Sequence, residues 1–232
     1  MSTSYKAALL AEYALVAQVF SAPGRLMILE QLAQGERGVD TLAEKTSLSV
    51  ANCSQHLQQL RRAGLVTSRR DGKAVIYRLT DAKTLDLMDL IRIVAERNRA
   101  QVAQILRGLS DGMDAPEPVS RADLAARLAD GTVTLIDVRP ADEFAAGHIP
   151  GALNVPLSEL ECLLPDLPPD AQVVAYCRGP YCVYAHQAVT ALRKLGIDAR
   201  RLEGGFPEWR EDAVKCLRDG RLLNPDAAQH AV

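Results

Sequence analysis

A mainly helical half carrying one β-hairpin, followed by an α/β half with a largely parallel sheet, is the fold class that the sequence predicts. Three observations lead there. Amphipathic helical patterns follow one another from Lys6 to Gly108, interrupted by a single hairpin signal. After Pro118 the text changes to short apolar runs alternating with helical stretches, the pattern of strands in a parallel α/β sheet. Between them lies SDGMDAPEP, Ser110–Pro118, rich in Gly, Pro and Asp with little to bury, which reads as a linker. The 232 residues exceed the usual single-domain size of about 100 to 150. The expected division is therefore a domain over 1–109, a linker over 110–118, a domain over 119–221 and a frayed tail over 222–232.

In the first half, helical patterns run over Lys6–Phe20, Pro23–Gly35, Val39–Thr46, Ser49–Gly64 and Asp81–Gly108. Thr67–Arg70 and Lys73–Arg78 flank Asp71-Gly72, a dipeptide suited to the positive φ angles of a type I′ turn. Within Ser49–Gly64, Ser49 is an N-cap, and Cys53, Leu57 and Leu60 fall at i, i+4 and i+7, forming one buried stripe. The opposite face displays Ala51, Asn52, Gln55, His56 and Gln59. Such small and amide side chains can hydrogen-bond base edges in a major groove; a merely solvated face is the alternative. A short helix, Thr41–Lys45, precedes this one across a tight turn, and the Arg69–Lys73 hairpin follows it. The first half is thus a mainly α winged helix-turn-helix.

Charge supports the division. Residues 1–110 hold 15 Lys+Arg and 10 Asp+Glu, a net +5, whereas 111–232 hold 12 and 19, a net −7. Only the first half is expected to meet a polyanion. The apolar share of 48% excludes a disordered chain. The N-terminal text has no basic n-region or small-residue cleavage site, so no signal peptide and no membrane span are expected. Five cysteines, an odd number without an export signal, point to a reduced, cytoplasmic setting in which some thiols are reactive.

The stretches FSAPGRLMILEQLAQGE, LAEKTSLSVANCSQHLQQLRRAGLV and SRRDGKAVIYRL, spanning Phe20–Leu79, resemble the ArsR-type bacterial repressors. The resemblance implies a homodimer on operator DNA. In it Asn52, Gln55, His56 and Gln59 would face bases, and Arg61, Arg69, Arg70 and Lys73 would contact phosphates. Lys6–Phe20 and Asp81–Gly108 would form the dimer interface. Many such repressors sense metal through a Cys-x-Cys pair before the turn, but here Gly38–Ala43 holds no cysteine. Asp86 and Asp89 are present without a histidine between Asp81 and Gly108, so metal sensing is disfavoured and no cofactor is expected. Cys53 is expected as a small core residue, with a regulatory thiol as the alternative.

In the second half, Val133–Pro140, Glu143-Phe144 and Gly147–Ala152, with Leu202–Trp209 near the end, resemble the signatures of rhodanese domains. This half is thus expected to be an α/β rhodanese-like domain with a largely parallel sheet. Asp137 and Arg139 read as fixing a strand end, and His148 as bracing a loop rather than catalysing. Between the signatures lies Tyr176-Cys177-Arg178-Gly179-Pro180-Tyr181-Cys182, where a buried strand ends and a helix, Val183–Leu195, begins. Loop N–H groups, the helix N-terminus and adjacent Arg178 would favour a thiolate at Cys177. Such a thiolate can attack a sulfane sulfur and hold it as a persulfide.

The resemblance makes Cys177–Cys182 a six-residue loop of the sulfur-handling kind rather than the seven-residue form of related phosphatases. Rhodanese loops often carry glycine fourth and arginine sixth; here Pro180 and Cys182 stand there. The missing arginine weakens the case for ordinary thiosulfate turnover, and the second thiol is a candidate resolving partner. Half of a zinc site is the alternative for this C-x4-C, but Cys162 and Cys216 are isolated. The leading expectation is a DNA-binding repressor that accepts sulfane sulfur, from polysulfide, persulfide or thiosulfate, at Cys177. The alternatives are a sulfurtransferase with an accessory winged helix, and a general thiol-redox regulator.

Overall fold

The structure is a computed structural model and describes residues 2–109, 117–163, 167, 171–179, 182–210 and 212. The chain divides into two compact units, residues 1–93 and 94–232. The linker core at 110–116, the tail at 222–232 and Cys216 lie outside the described residues.

The helices and strands up to residue 109 are α1 (Ser2–Val19), α2 (Pro23–Ala33), β1 (Arg37–Gly38), α3 (Val39–Thr46), α4 (Val50–Arg62), β2 (Val66–Asp71), β3 (Ala74–Leu79), α5 (Lys83–Asn98) and α6 (Ala100–Leu109); the boundary between the two units falls within α5, so α6 belongs to the second. Ser49 caps α4 as the sequence predicts, its Oγ accepting from Asn52 N at 3.2 Å. The turn between α3 and α4 pivots on Ser47, the only described non-glycine residue with positive φ, at 55°. Ile28, Leu29, Leu42, Cys53, Leu57 and Leu60 have no exposure and form the centre of one core, which places Cys53 as a core thiol. Burial, and then the charge of Asp40, push that thiol above its ordinary pKa, opposite to what a reactive cysteine needs.

Three expectations change. The hairpin acquires a third, edge strand, β1, antiparallel to β3. Asp71 pairs with Ala74, so the loop is Gly72-Lys73 instead of Asp71-Gly72. Of these two only Gly72 has positive φ, 59°; a type I′ turn needs it at both central positions, so the loop is of the kind with glycine first. Finally, the long pattern Asp81–Gly108 is divided at Arg99. Asn98 Nδ2 donates to Val94 O at 2.8 Å, so a side chain competes for a carbonyl of the last turn and α5 stops there.

The second half contains α7 (Arg121–Ala129), β4 (Thr134–Asp137), α8 (Ala141–Ala146), β5 (Leu153–Asn154), α9 (Leu160–Leu163), β6 (Gln172–Tyr176), α10 (Val183–Lys194) and β7 (Asp198–Arg201). Its four strands are all parallel in the order β5-β4-β6-β7. Alternation along the strands builds two apolar layers. Ile136, Val173, Ala175 and Cys177 face Ala185, Ala188, Val189 and Leu192 of α10. Leu135, Val174 and Tyr176 face Leu124 of α7 and Phe206.

At the carboxyl end of β4, Asp137 and Arg139 form a pair with no exposure on either side. Arg139 Nη2 reaches Asp137 Oδ2 at 2.6 Å and Gly147 O at 2.8 Å, while its Nε donates to both carboxylate oxygens at 3.0 Å. Burial works against the guanidinium charge, but Asp137 outweighs it and holds the arginine above its usual pKa. Asp137→Asn should therefore destabilise the second unit by about 3 to 5 kcal/mol, the cost of a buried charge left without its partner. Asp123→Asn, which breaks an exposed pair with Arg127, should cost under about 1 kcal/mol. Urea unfolding of both variants measures the difference.

Candidate functional site

Two separate sites emerge, one in each unit. On α4, Asn52, Gln55 and Gln59 are exposed, as are Arg61 and, on the wing, Arg69, Arg70 and Lys73. They form an open face of amides and cations. His56 does not share that exposure. Its ring lies at the contact between α4 and α2, where a Cβ on Gly24 would come within 2.8 Å of its Nε2. Its Nδ1 is buried without a hydrogen-bond partner among the described residues. His56 thus sits on the edge of the buried stripe, as a spacer between helices rather than a group aimed at bases.

The arginine that organises this face is one the sequence reading passed over. Buried Arg25 donates from Nη1 to Gln59 Oε1 at 2.6 Å, from Nε to Val19 O at 2.5 Å and from Nη2 to Gln18 O at 3.0 Å. It ties the end of α1 to the amide of α4, across 34 residues of sequence. On the wing, Arg69 is paired at 3.0 Å with both Glu36 and Asp71.

In the second unit β6 delivers Cys177 to the carboxyl edge of the sheet, and the chain returns to Cys182, the N-cap of α10. The two cysteines are joined as a disulfide, with Cα atoms 6.2 Å apart, inside the reach of about 7 Å that such a bond requires. They are 1% and 7% exposed. The start of the loop, Cys177–Gly179, is seated on the 204–206 turn: Phe206 N donates to Cys177 O at 3.2 Å. A Cβ on Gly205 would collide with Cys177 O and with the backbone of Gly179. That close approach is the physical reason for glycine there. Tyr176 OH accepts from Ile149 N at 3.0 Å; burial first, and then the Asp137 carboxylate, push this phenol well above its ordinary pKa. It remains a neutral brace beneath the loop. Among the described residues no three of His, Cys, Asp and Glu converge as metal ligands.

Residues 22–68 match the model of the bacterial regulatory protein arsR family, and residues 120–212 match that of the rhodanese-like domain. HTH-type transcriptional regulator Rv0324 of Mycobacterium tuberculosis is 43% identical over 206 residues, covering 88% of this chain and 90% of that protein. The chain belongs to the ArsR family of transcriptional regulators and carries a rhodanese-like domain. Its second half is also 39% identical to human thiosulfate:glutathione sulfurtransferase over 106 residues, 40% of this chain and 92% of that one. A homodimeric winged helix-turn-helix domain of Mb0332 from Mycobacterium bovis shares 40% identity, covering 39% of this chain and 84% of its own, with a TM-score of 0.37.

In this regulator the charge that the sequence sets beside Cys177 is directed elsewhere. Arg178 makes a two-pronged pair with Glu143, Nε to Oε2 at 2.8 Å and Nη2 to Oε1 at 2.9 Å, and Glu143 has no exposure. Its guanidinium also lies 5.4 Å from the centre of the Tyr184 ring. Arg178 thus anchors the loop to α8. Glu143 was legible only as part of the opening signature, with nothing to mark it as a partner 35 residues away. His148 braces as expected, stacked 3.8 Å from Phe144 with Nδ1 3.0 Å from the Phe144 carbonyl. Pro180 and Tyr181 lie outside the described residues, as does the side chain of Cys162. Gly205→Ala should destabilise the second unit by about 1 to 3 kcal/mol through overpacking against the loop backbone. Gly108→Ala, where a Cβ meets nothing within 4 Å, should be neutral or stabilising by up to about 1 kcal/mol. Denaturant midpoints with a thiol count on each variant check this.

Proposed function

We propose that the regulator is a cytoplasmic homodimeric repressor whose rhodanese-like unit receives sulfane sulfur at Cys177 and signals that state to operator binding. The observation that carries the reading is the opposition of Cys177 and Cys182 within one loop at the start of α10. In the reduced loop, the Cys177 thiolate attacks the outer sulfur of a polysulfide or persulfide, and the shortened donor leaves as a thiolate. Cys182 then attacks the inner sulfur of the persulfide and expels hydrosulfide, closing the disulfide. The sulfane sulfur is reduced and the two thiols are oxidised, so no further oxidant is needed. DNA contact falls to Asn52 and Gln55 of α4, to Gln59 as oriented by Arg25, and to Arg61, Arg69, Arg70 and Lys73 around them. The homodimer is supported by the exposed apolar side chains Tyr5, Leu9 and Tyr13 of α1 and Leu90 and Val94 of α5, surface of the kind that a second copy covers. Sulfurtransferase turnover is the weaker reading, because Cys182 replaces the loop arginine and Arg178 is engaged by Glu143.

The test measures binding of the purified regulator to selected operator fragments, reduced and after polysulfide, with mass analysis of Cys177. Affinity should change on treatment. Cys182→Ser should still take sulfur on Cys177 but lose the change in affinity, and Cys177→Ser should lose both. An unchanged response in Cys182→Ser removes the disulfide from the signal.

Two further outcomes are expected. Alkylation of the reduced regulator against pH should give Cys177 a pKa below the free value of about 8.5. On the wing, Arg70→Ala should weaken binding to every sequence and lower the salt slope by about 1. Arg69→Ala should do less, since Glu36 and Asp71 already engage that side chain. Gln55→Ala should instead alter preference at one base position, by about 1 to 3 kcal/mol.

A further inference from the structure

The closed loop is itself an electrophile, and its surroundings choose the nucleophile. We propose that the Cys177–Cys182 disulfide is a second receptor, specific for hydrosulfide, which opens it to a persulfide on Cys177. The inference rests on the proposed sulfur chemistry of this loop but takes the opposite reactant. Attack on a disulfide requires approach along the S–S axis, and both cysteines are almost wholly buried, Cys177 at 1% and Cys182 at 7% exposure. Such burial disfavours a tripeptide thiol relative to a nucleophile of one heavy atom, which needs far less room to line up with the S–S axis.

The two sulfurs are not equivalent. Cys182 is the N-cap of α10, a helix of 12 residues, and makes no side-chain cap hydrogen bond as a disulfide. As a thiolate it would gain the unpaired N–H groups of the first turn and the positive end of the helix dipole. The sulfur whose thiolate is the better stabilised leaves more readily, so Cys182 departs and Cys177 is attacked. Cys177 ends β6, packed in the sheet layer beneath α10, and is not the cap of that helix, so of the two thiolates that of Cys182 is the better placed. Atoms and electrons balance. HS⁻ forms a bond to Cys177 Sγ, the Sγ–Sγ bond breaks with its electron pair going to Cys182, and the proton of HS⁻ stays on the new Cys177 persulfide. Sulfide sulfur is oxidised to sulfane sulfur as the disulfide is reduced. The same step run backwards closes the loop, so the site reads the balance between sulfane sulfur and sulfide rather than either alone.

The experiment uses the full chain, oxidised and freed of small thiols, under strict exclusion of oxygen. Sodium hydrosulfide free of polysulfide is added, the opened loop is trapped with an alkylating agent while hydrosulfide is still present, so that Cys182 cannot close it again, and the sulfur carried by each cysteine is read by peptide mass mapping. The expected result is close to one extra sulfur per chain, carried as trapped persulfide on Cys177, with one alkylated thiol at Cys182. Glutathione at the same concentration should open the disulfide at least about tenfold more slowly. Cys182→Ser, which cannot close the loop, should gain no sulfur from hydrosulfide yet be loaded by polysulfide.

An oxidised chain that gains no bound sulfur, or that releases both thiols with the sulfur left in solution as disulfane, overturns the inference. So does sulfur mapped to Cys182, or glutathione as fast as hydrosulfide. These failures are separate from failure of the proposed function, which would appear as a reduced chain that polysulfide does not load.

Discussion

An ion pair with no contact with water, Asp137 with Arg139, sits where strands β4 and β6 finish side by side. Removing two such charges from solvent costs several kcal/mol each, and only close geometry with full hydrogen bonding repays it. The pair meets that demand by recruiting its neighbours. Arg139 reaches the Gly147 carbonyl, and its guanidinium lies 4.7 Å from the Phe206 ring centre and 5.7 Å from that of Tyr176. Asn154 Nδ2 donates to the carbonyls of both Asp137 and Arg139. The chain segments that rise past the carboxyl edge of the sheet are thereby fixed to one point. The residue after Tyr176 is Cys177, so the sulfur loop inherits its position from this pair.

What the loop does with that position follows from charge. A low-pKa thiol is usually made by a nearby cation, but here Arg178 is held by buried Glu143, and Glu208 accepts from Gly205 N at 2.8 Å beside the loop. Stabilisation of a thiolate then falls to backbone N–H groups and the start of α10. Those groups act over one helical turn, and on the proposed reading they suit a singly charged sulfur species better than a dianion. Opening the disulfide changes the N-cap of α10 from a sulfur that accepts poorly to a thiolate that accepts well. On the proposed reading the loop has two discrete states, differing in one covalent bond and in one helix cap, which is the kind of element an equilibrium can switch.

Much of this was legible in the sequence because it is local. Ser49 as an N-cap, Cys53, Leu57 and Leu60 as a buried stripe, and the alternation Leu135, Ile136 and Val173, Val174 each follow from a periodicity of one element. The turn at Gly72 was displaced by one residue, since Asp71 and Gly72 offer the same dipeptide signal in either register and the pairing of Val66 with Leu79 decides between them. The remainder depends on contacts distant in the chain. Arg25 with Gln59, and Arg178 with Glu143, join residues more than 30 positions apart, and neither partner is marked by its own neighbours. His56 shows the same limit at short range. On a helix of about 3.6 residues per turn it lies between the amide face and the buried stripe, and only the packing of Gly24 and α2 settles which way it turns.

The two halves also differ in what their charges can do. The basic half, at +5, presents exposed cations on α4 and the wing, each worth little alone but together able to displace counterions from a duplex. The acidic half, at −7, is repelled by the same polyanion. On the proposed reading, that net charge disfavours a sulfur signal that works by adding DNA contacts from the rhodanese-like half. The favoured route on that reading is through the basic half, by a change in how α4 and the wing are presented. Arg25 makes such a change costly to confine, because a guanidinium fastened to the Val19 and Gln18 carbonyls and to Gln59 cannot release α4 without leaving its own buried donors unpaired. Because α1 ends at the carbonyls that Arg25 holds, a displacement of α1 and a displacement of α4 are tied to the same guanidinium.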